Sequence, residues 1–196
     1  MRKKQIFLLL ICLVLFSGCA MRHAFDLDKV ESKEGIRLLK IAPVKQEKNG
    51  YCGVACLEEV SGYWGKNVRQ QGIWDSITKG EKKEVLAKEL KEYAELQGLK
   101  GFIFKGNQND IFTNVEKGRP LIIAHESTGF FRSLAGKSDY HYVVVAGYNK
   151  IQNYMIIDDP ARERYWILTD DFNKMWASGF NFLMLIAPEE KGGDLR

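Results

Sequence analysis

Four residues in this chain are of the right types, and in the right order, for acyl transfer through a thiol: Gln46, Cys52, His141 and Asp159. The stretch Gln46 to Gly65 reads QEKNGYCGVACLEEVSGYWG. After a polar approach, Ala55, Cys56, Val60, Tyr63 and Trp64 recur at three- and four-residue intervals. That spacing predicts a helix with one apolar face, on which Glu58, Glu59 and Ser61 look outward. Cys52 then falls in the first turn. Unpaired backbone N–H groups and the positive end of the helix dipole favour a thiolate there, and such placement lowers a cysteine pKa from about 8.5 to roughly 3.5–7.5. A nucleophile prepared in this way needs a base, a group to orient the base, and a donor for the developing oxyanion.

His141 opens the run HYVVVAGY, and Asp159 stands before Pro160 at the end of YMIIDDP. If the two runs pair as a hairpin turning around Asn149 to Asn153, His141 and Asp159 reach the same end of a sheet. The imidazole can then take the thiol proton while the carboxylate fixes the tautomer and stabilises the imidazolium. Gln46, six residues before Cys52, is close enough to add its side-chain amide to the Cys52 N–H as an oxyanion donor. Asp158 competes for the orienting role, but alternation along the strand sends it to the opposite face from Asp159. His125 ends a separate apolar strand and reads as structural. Cys56 reads as a buried small apolar residue. One cysteine and one well-placed histidine, without a further ligand pair, do not make a tetrahedral metal set, so no metal or cofactor is expected.

Several elements must position these groups. Beyond the Cys52 helix, residues 66–80 read as a short helix and loop, and Glu81 to Gln97 as an amphipathic helix stopped by Gly98. Leu99 to Lys105 is a strand by its apolar and β-branched content. Asp110 reads as the N-cap of a short helix ending at Gly118, and LIIAH after Pro120 as a buried strand. Residues 126–140 form a loop centred on Phe130 and Phe131, a candidate wall of a substrate groove. His141 to Tyr148, Tyr154 to Ile157, Arg164 to Leu168 and Phe180 to Ile186 are strands, with a short helix at Asp170 to Ala177. Little alternation in the His141 strand places it centrally, with both faces covered. Helices first and an antiparallel sheet afterwards is an α+β layout.

The N-terminus reads as an address. Arg2, Lys3 and Lys4 precede an apolar run from Ile6 to Phe16, then Ser17, Gly18 and Cys19, the layout of a secretory signal over residues 1–18. The apolar run is short against the about 20 residues of a membrane span. FSGC resembles the bacterial lipoprotein signal, in which the cysteine is lipidated and heads the mature chain, which implies a lipidated Cys19. Residues 19–40 read as a polar tether with a short entry element, where Ile36, Leu38, Leu39 and Ile41 either begin a strand or pack against the domain; 41–188 read as that domain and 189–196 as a frayed tail. Ala20 resembles the residue after the cysteine in lipoproteins sent to the outer membrane, which implies a bacterial cell-envelope, extracytoplasmic location. The chain has 29 Lys and Arg against 25 Asp and Glu; without the three basic residues of the leader the balance is +1, and nothing asks for nucleic acid. The 178 residues from Cys19 onward suit one domain with a full core. Only Cys52 and Cys56 remain inside it, and a helical i, i+4 pair is too far apart for an unstrained disulfide. Two free thiols in an oxidising compartment favour a chemical use for at least one.

QEKNGYCGVACLEEVSGYWG, HYVVVAGY and IDDP together resemble the signature of the C39 peptidases, papain-like cysteine peptidases best known as the front domain of bacteriocin-exporting ABC transporters. The resemblance spans roughly residues 42 to 188. It implies a papain-like fold, with N-terminal helices packed on a C-terminal antiparallel sheet, and a peptide or protein substrate. It assigns Cys52 as nucleophile, His141 as base, Asp159 as orienter and Gln46 as oxyanion donor. Transporter-linked members cut leaders after a double glycine on the cytoplasmic side. This chain resembles instead free-standing C39-like lipoproteins, so that specificity does not carry over safely. Two other uses of the same framework remain: an amidase or transpeptidase acting on cell-wall peptides, and a peptide-binding or assembly lipoprotein without turnover.

Overall fold

The computed structural model describes residues 22–26, 28, 33–79, 85–127 and 139–189. Its centre is a helix against a strand. Helix α1 (Cys52–Tyr63) packs on strand β5 (Tyr140–Asn149), and Val54, Leu57 and Val60 are fully buried between them and their neighbours. Full burial of each such side chain stabilises by about 1.5–3 kcal/mol relative to exposure. Helices α2 (Gln70–Thr78) and α3 (Ala87–Leu96) pack against α1, and the Tyr51 ring stacks on Trp74 at 4.4 Å, tying the start of α1 to α2.

The remaining elements are strands β1 (His23–Ala24), β2 (Ile36–Leu38), β3 (Leu99–Lys105), β4 (Leu121–Glu126), β6 (Tyr154–Asp158), β7 (Tyr165–Leu168) and β8 (Phe182–Pro188), with helices α4 (Gln108–Glu116) and α5 (Thr169–Ser178). The eight strands form one antiparallel sheet in the order β1-β7-β6-β5-β4-β8-β3, with β2 also on β5. β6 takes one edge of β5. The other edge is shared: β4 runs beside Tyr140 to Val145 and β2 beside Gly147 to Asn149. A Cβ on Gly147 would lie 2.3 Å from the Arg37 carbonyl oxygen, so β2 approaches this closely only because that residue is glycine. The strand is thus central, and Val143 to Asn149 are buried. The β5–β6 hairpin forms with the expected turn and places His141 and Asp159 at one end of the sheet.

Several local expectations are corrected. Glu58, Glu59 and Ser61 do not face solvent; they are 8%, 3% and 0% exposed. Residues 53–61 of their helix are all buried, and the two carboxyls are met by groups from other segments. Val85 and Leu86 precede α3 rather than belonging to its apolar face, and residues 81–84 of the expected helix lie outside the described residues. Asn107, not Asp110, caps α4: its side chain accepts the N–H groups of Asn109 and Asp110, while Asp110 accepts the Asn107 N–H at 2.7 Å, a reciprocal capping box. Strand β8 starts at Phe182 because Phe180 and Asn181 take left-handed backbone, φ 58° and 53°. Within the segment expected as a tether, His23–Ala24 joins the sheet as β1, while the entry element takes its strand alternative as β2, with Phe25 and Leu39 in the core. The leader, Cys19, the Phe130-Phe131 loop centre and residues 190–196 lie outside the described residues. Among the described residues, no helix is long and apolar enough to cross a membrane.

Candidate active site

Cys52 is the first residue of α1, whose first turn has neither an acidic residue nor a side-chain cap. The amides there are left for other acceptors. The next residue, Gly53, faces the Tyr142 ring and Leu90; a Cβ would sit 3.0 Å from Leu90 and 3.3 Å from Tyr142, so glycine lets the helix start settle against β5. Opposite it, the His141 ring bridges two partners. Its Nε2 lies 2.7 Å from Asp159 Oδ1, and its side chain also hydrogen-bonds Cys52. With Nε2 occupied by the carboxylate, Nδ1 is the nitrogen left to meet the sulfur. Asp159 is held in turn: its Oδ1 accepts the Ala161 N–H at 2.9 Å, and Arg162 Nε lies 3.8 Å from Oδ2.

The electrostatics agree with this geometry. Burial disfavours a thiolate at Cys52, but the hydrogen bond from His141 and the backbone N–H groups of Tyr142 and Gly53 outweigh it, and the thiol pKa falls below its ordinary value. Burial likewise opposes charge on His141, yet Asp159 and Cys52 raise its pKa to about 9. Asp159 is pulled down despite its burial, chiefly by the hydrogen bond with His141. Both partners of the Cys52–His141 pair therefore shift toward the charged form. Cys56, one turn along, behaves oppositely: it is fully buried, and desolvation with nearby negative charge pushes its thiol well up. It is a poor nucleophile in a place that no reagent reaches.

Gln46 lies with Cys52, Gly53 and His141 on the wall of a cleft of about 440 Å³, whose apolar side is formed by Val85, Leu86 and Tyr140. Asp158 is absorbed elsewhere, as a bidentate partner of Arg164. Glu59 approaches Asp158 from α1; burial and that neighbouring carboxylate raise its pKa to about 9, so it sits as a neutral acid that also accepts the Val44 N–H at 3.0 Å. His125 stands directly opposite His141 across the β4–β5 pair. The two rings meet edge to face with centroids 5.4 Å apart. His125 Nδ1 donates to the Glu126 carbonyl at 2.9 Å and burial keeps its pKa low, so a neutral ring covers one side of His141. The sequence shows the type of this residue but not the register that sets it there. Among the described residues, no three His, Cys, Asp or Glu side chains gather into a group able to hold a metal ion.

A helix carrying a cysteine at its start, packed on an antiparallel sheet that presents a His–Asp pair, defines a papain-like arrangement. The sequence matches the Peptidase_C39 like family over residues 38–179. The chain belongs to that family and is a cysteine peptidase by class. Among solved structures it is similar to a double glycine motif protease from an AMS/PCAT transporter in complex with the leader peptide, at 22% identity and TM-score 0.58, covering 80% of this chain and 96% of that one. It is also similar to the peptidase domain of Streptococcus ComA, a bi-functional ABC transporter involved in a quorum sensing pathway, at 24% identity and TM-score 0.58, covering 75% and 98%. A protein from Bacillus anthracis described as a C39-like peptidase aligns with TM-score 0.64 at 14% identity, covering 80% and 99%. At these identities the likeness establishes the fold. No curated protein matches the chain.

Proposed function

We propose that the protein is a lipid-anchored, extracytoplasmic cysteine peptidase that cleaves peptide bonds through Cys52, His141 and Asp159, with Gln46 as an oxyanion donor. The observation that carries this reading is the position of His141, hydrogen-bonded to Cys52 on one side and 2.7 Å from Asp159 on the other. In the reaction the Cys52 thiolate attacks the peptide carbonyl carbon, and the carbonyl oxygen becomes an oxyanion facing the Cys52 N–H and the Gln46 amide. The His141 imidazolium gives its proton to the departing amine, leaving an acyl-enzyme. Water then loses a proton to His141 and attacks the acyl carbon, and the thiolate departs. Peptide as the substrate class is supported by the relative bound to a leader peptide and by the apolar cleft wall at Leu86 and Tyr140, which are 58% and 43% exposed. A fluorogenic peptide library tests the reading: turnover that iodoacetamide abolishes is expected, and no cleavage of any member would reject it.

The anchor is proposed at Cys19. The run FSGC, which ends at Cys19 and resembles the bacterial lipoprotein signal, supports it. Wild-type protein is expected in the detergent phase on phase separation and Cys19→Ser protein in the aqueous phase. Wild type recovered wholly in the aqueous phase would remove the anchor from the account.

A further inference from the structure

Residues 39–46 and Tyr51 carry no helix or strand, and residues 47–50 form only a bend and turn, yet the proposed oxyanion donor Gln46 sits among them. A peptide segment without ladder partners moves readily, and a donor that wanders by an ångström gives little transition-state stabilisation. The segment is nonetheless tied down residue by residue. Arg164 donates to the Ile41 carbonyl at 3.0 Å, Glu59 accepts the Val44 N–H, and the Gln46 N–H itself donates to the Pro160 carbonyl at 2.8 Å, one residue past Asp159. The tie that brackets Gln46 is Gln70. Its side-chain Nε2 donates to the Lys45 carbonyl at 2.8 Å, and its Oε1 accepts the Glu47 N–H at 2.9 Å. One amide thus pairs with the backbone on both sides of Gln46, in the manner of a neighbouring strand.

Gln70 is held ready for this. It is 1% exposed, and its own N–H donates to Glu58 Oε2 at 3.2 Å, while Arg69 holds the other Glu58 oxygen at 3.0 Å. The two buried Glu58 and Glu59 carboxyls thereby connect α1, which carries Cys52, to both sides of the Gln46 segment. We propose that Gln70 is a positioning residue: its side-chain amide clamps the backbone on either side of Gln46 and fixes that side chain where the oxyanion forms. The proposal rests on the reading of Gln46 as oxyanion donor.

Two reactions of Cys52 separate a clamp from a general structural role. Acylation by p-nitrophenyl acetate passes through a tetrahedral oxyanion; alkylation by iodoacetamide is a direct displacement that needs the thiolate and no oxyanion donor. In full-length protein carrying Cys12→Ala, Cys19→Ser and Cys56→Ala, which leaves Cys52 as its one thiol, Gln46→Ala is expected to slow acylation by about 10²-fold, as loss of one donor does, and to leave alkylation within about twofold. Gln70→Met, which fills the space without either hydrogen bond, should slow acylation by about tenfold with alkylation unchanged, and should add nothing on top of Gln46→Ala. Gln70→Asn keeps the amide but is one methylene too short to reach both groups, and is expected to behave like Gln70→Met if the latter does not fold. Slowing of acylation and alkylation together, or a full additional loss in the Gln46→Ala background, would overturn the clamp while leaving Gln46 in place. Unchanged acylation in Gln46→Ala would overturn the oxyanion reading itself, and the clamp with it.

Discussion

Cys52→Ala protein is expected to fold normally and to show no turnover of any peptide that the wild type cleaves. Alanine is well suited to the first turn of a helix, and buried Val54, Leu57 and Val60 hold α1 on β5 when the sulfur's hydrogen bonds with His141, Tyr142 and Gly53 are lost. The chemistry, by contrast, has no substitute. The only other cysteine among the described residues is Cys56, which is fully buried with a raised pKa and cannot reach the cleft. The complementary variant, Cys56→Ala, should keep activity within about tenfold, since it removes only a small buried side chain. Activity measured on one peptide from the library decides both. A Cys52→Ala protein that still cleaves would place the nucleophile elsewhere and end the assignment.

Asp159→Asn carries the second large effect. The carboxylate supplies the leading favourable contribution to charge on His141, against burial. Without its charge, burial is opposed only by Cys52, and the His141 pKa falls from about 9. Turnover is expected to drop by about 10³- to 10⁴-fold, the scale of losing an orienting carboxylate in such a system. The sign of the accompanying pH effect follows from linkage. A histidine whose pKa is raised on folding stabilises fully below its unfolded value of about 6.5 and loses that contribution as pH rises; here the loss runs through about 9. The stability gap between wild type and Asp159→Asn, read from urea midpoints, should therefore be widest in mildly acidic solution and shrink above the His141 pKa. A gap independent of pH would mean that Asp159 supports the fold without charging His141.

What could be read from the sequence was local. Cys52 at the start of a helix, the central β5 and the hairpin that aligns His141 with Asp159 all follow from short runs whose periodicity and turn residues are self-contained. What could not be read depends on groups brought from afar. Helical spacing assigns Glu58 and Glu59 to an outer face, because it knows nothing of Arg69, Val44 and Asp158, which match the two carboxyls once the chain is folded. Gln70 looks like an ordinary polar residue in a helix that precedes nothing of note; its role appears only when Lys45 and Glu47 lie against it. Asn107 and Asp110 are both capping types three residues apart, and a reciprocal box uses both, so residue type alone could not say which one starts the helix. Val85 and Leu86 fit helical spacing by position, yet they lie ahead of α3 and face the cleft.

The central claim is that His141 and Cys52 form a thiolate–imidazolium pair. It is tested most directly by the pH dependence of Cys52 alkylation in Cys56→Ala protein beginning at Ala20, with His141 present and with His141→Ala. With His141 present, the thiol should titrate below its reference value of about 8.5. With His141→Ala, burial is opposed only by the Tyr142 and Gly53 amides, and the apparent pKa should move upward. The same ordinary pKa in both proteins would contradict the account, because Cys52 would then have no partner to take its proton.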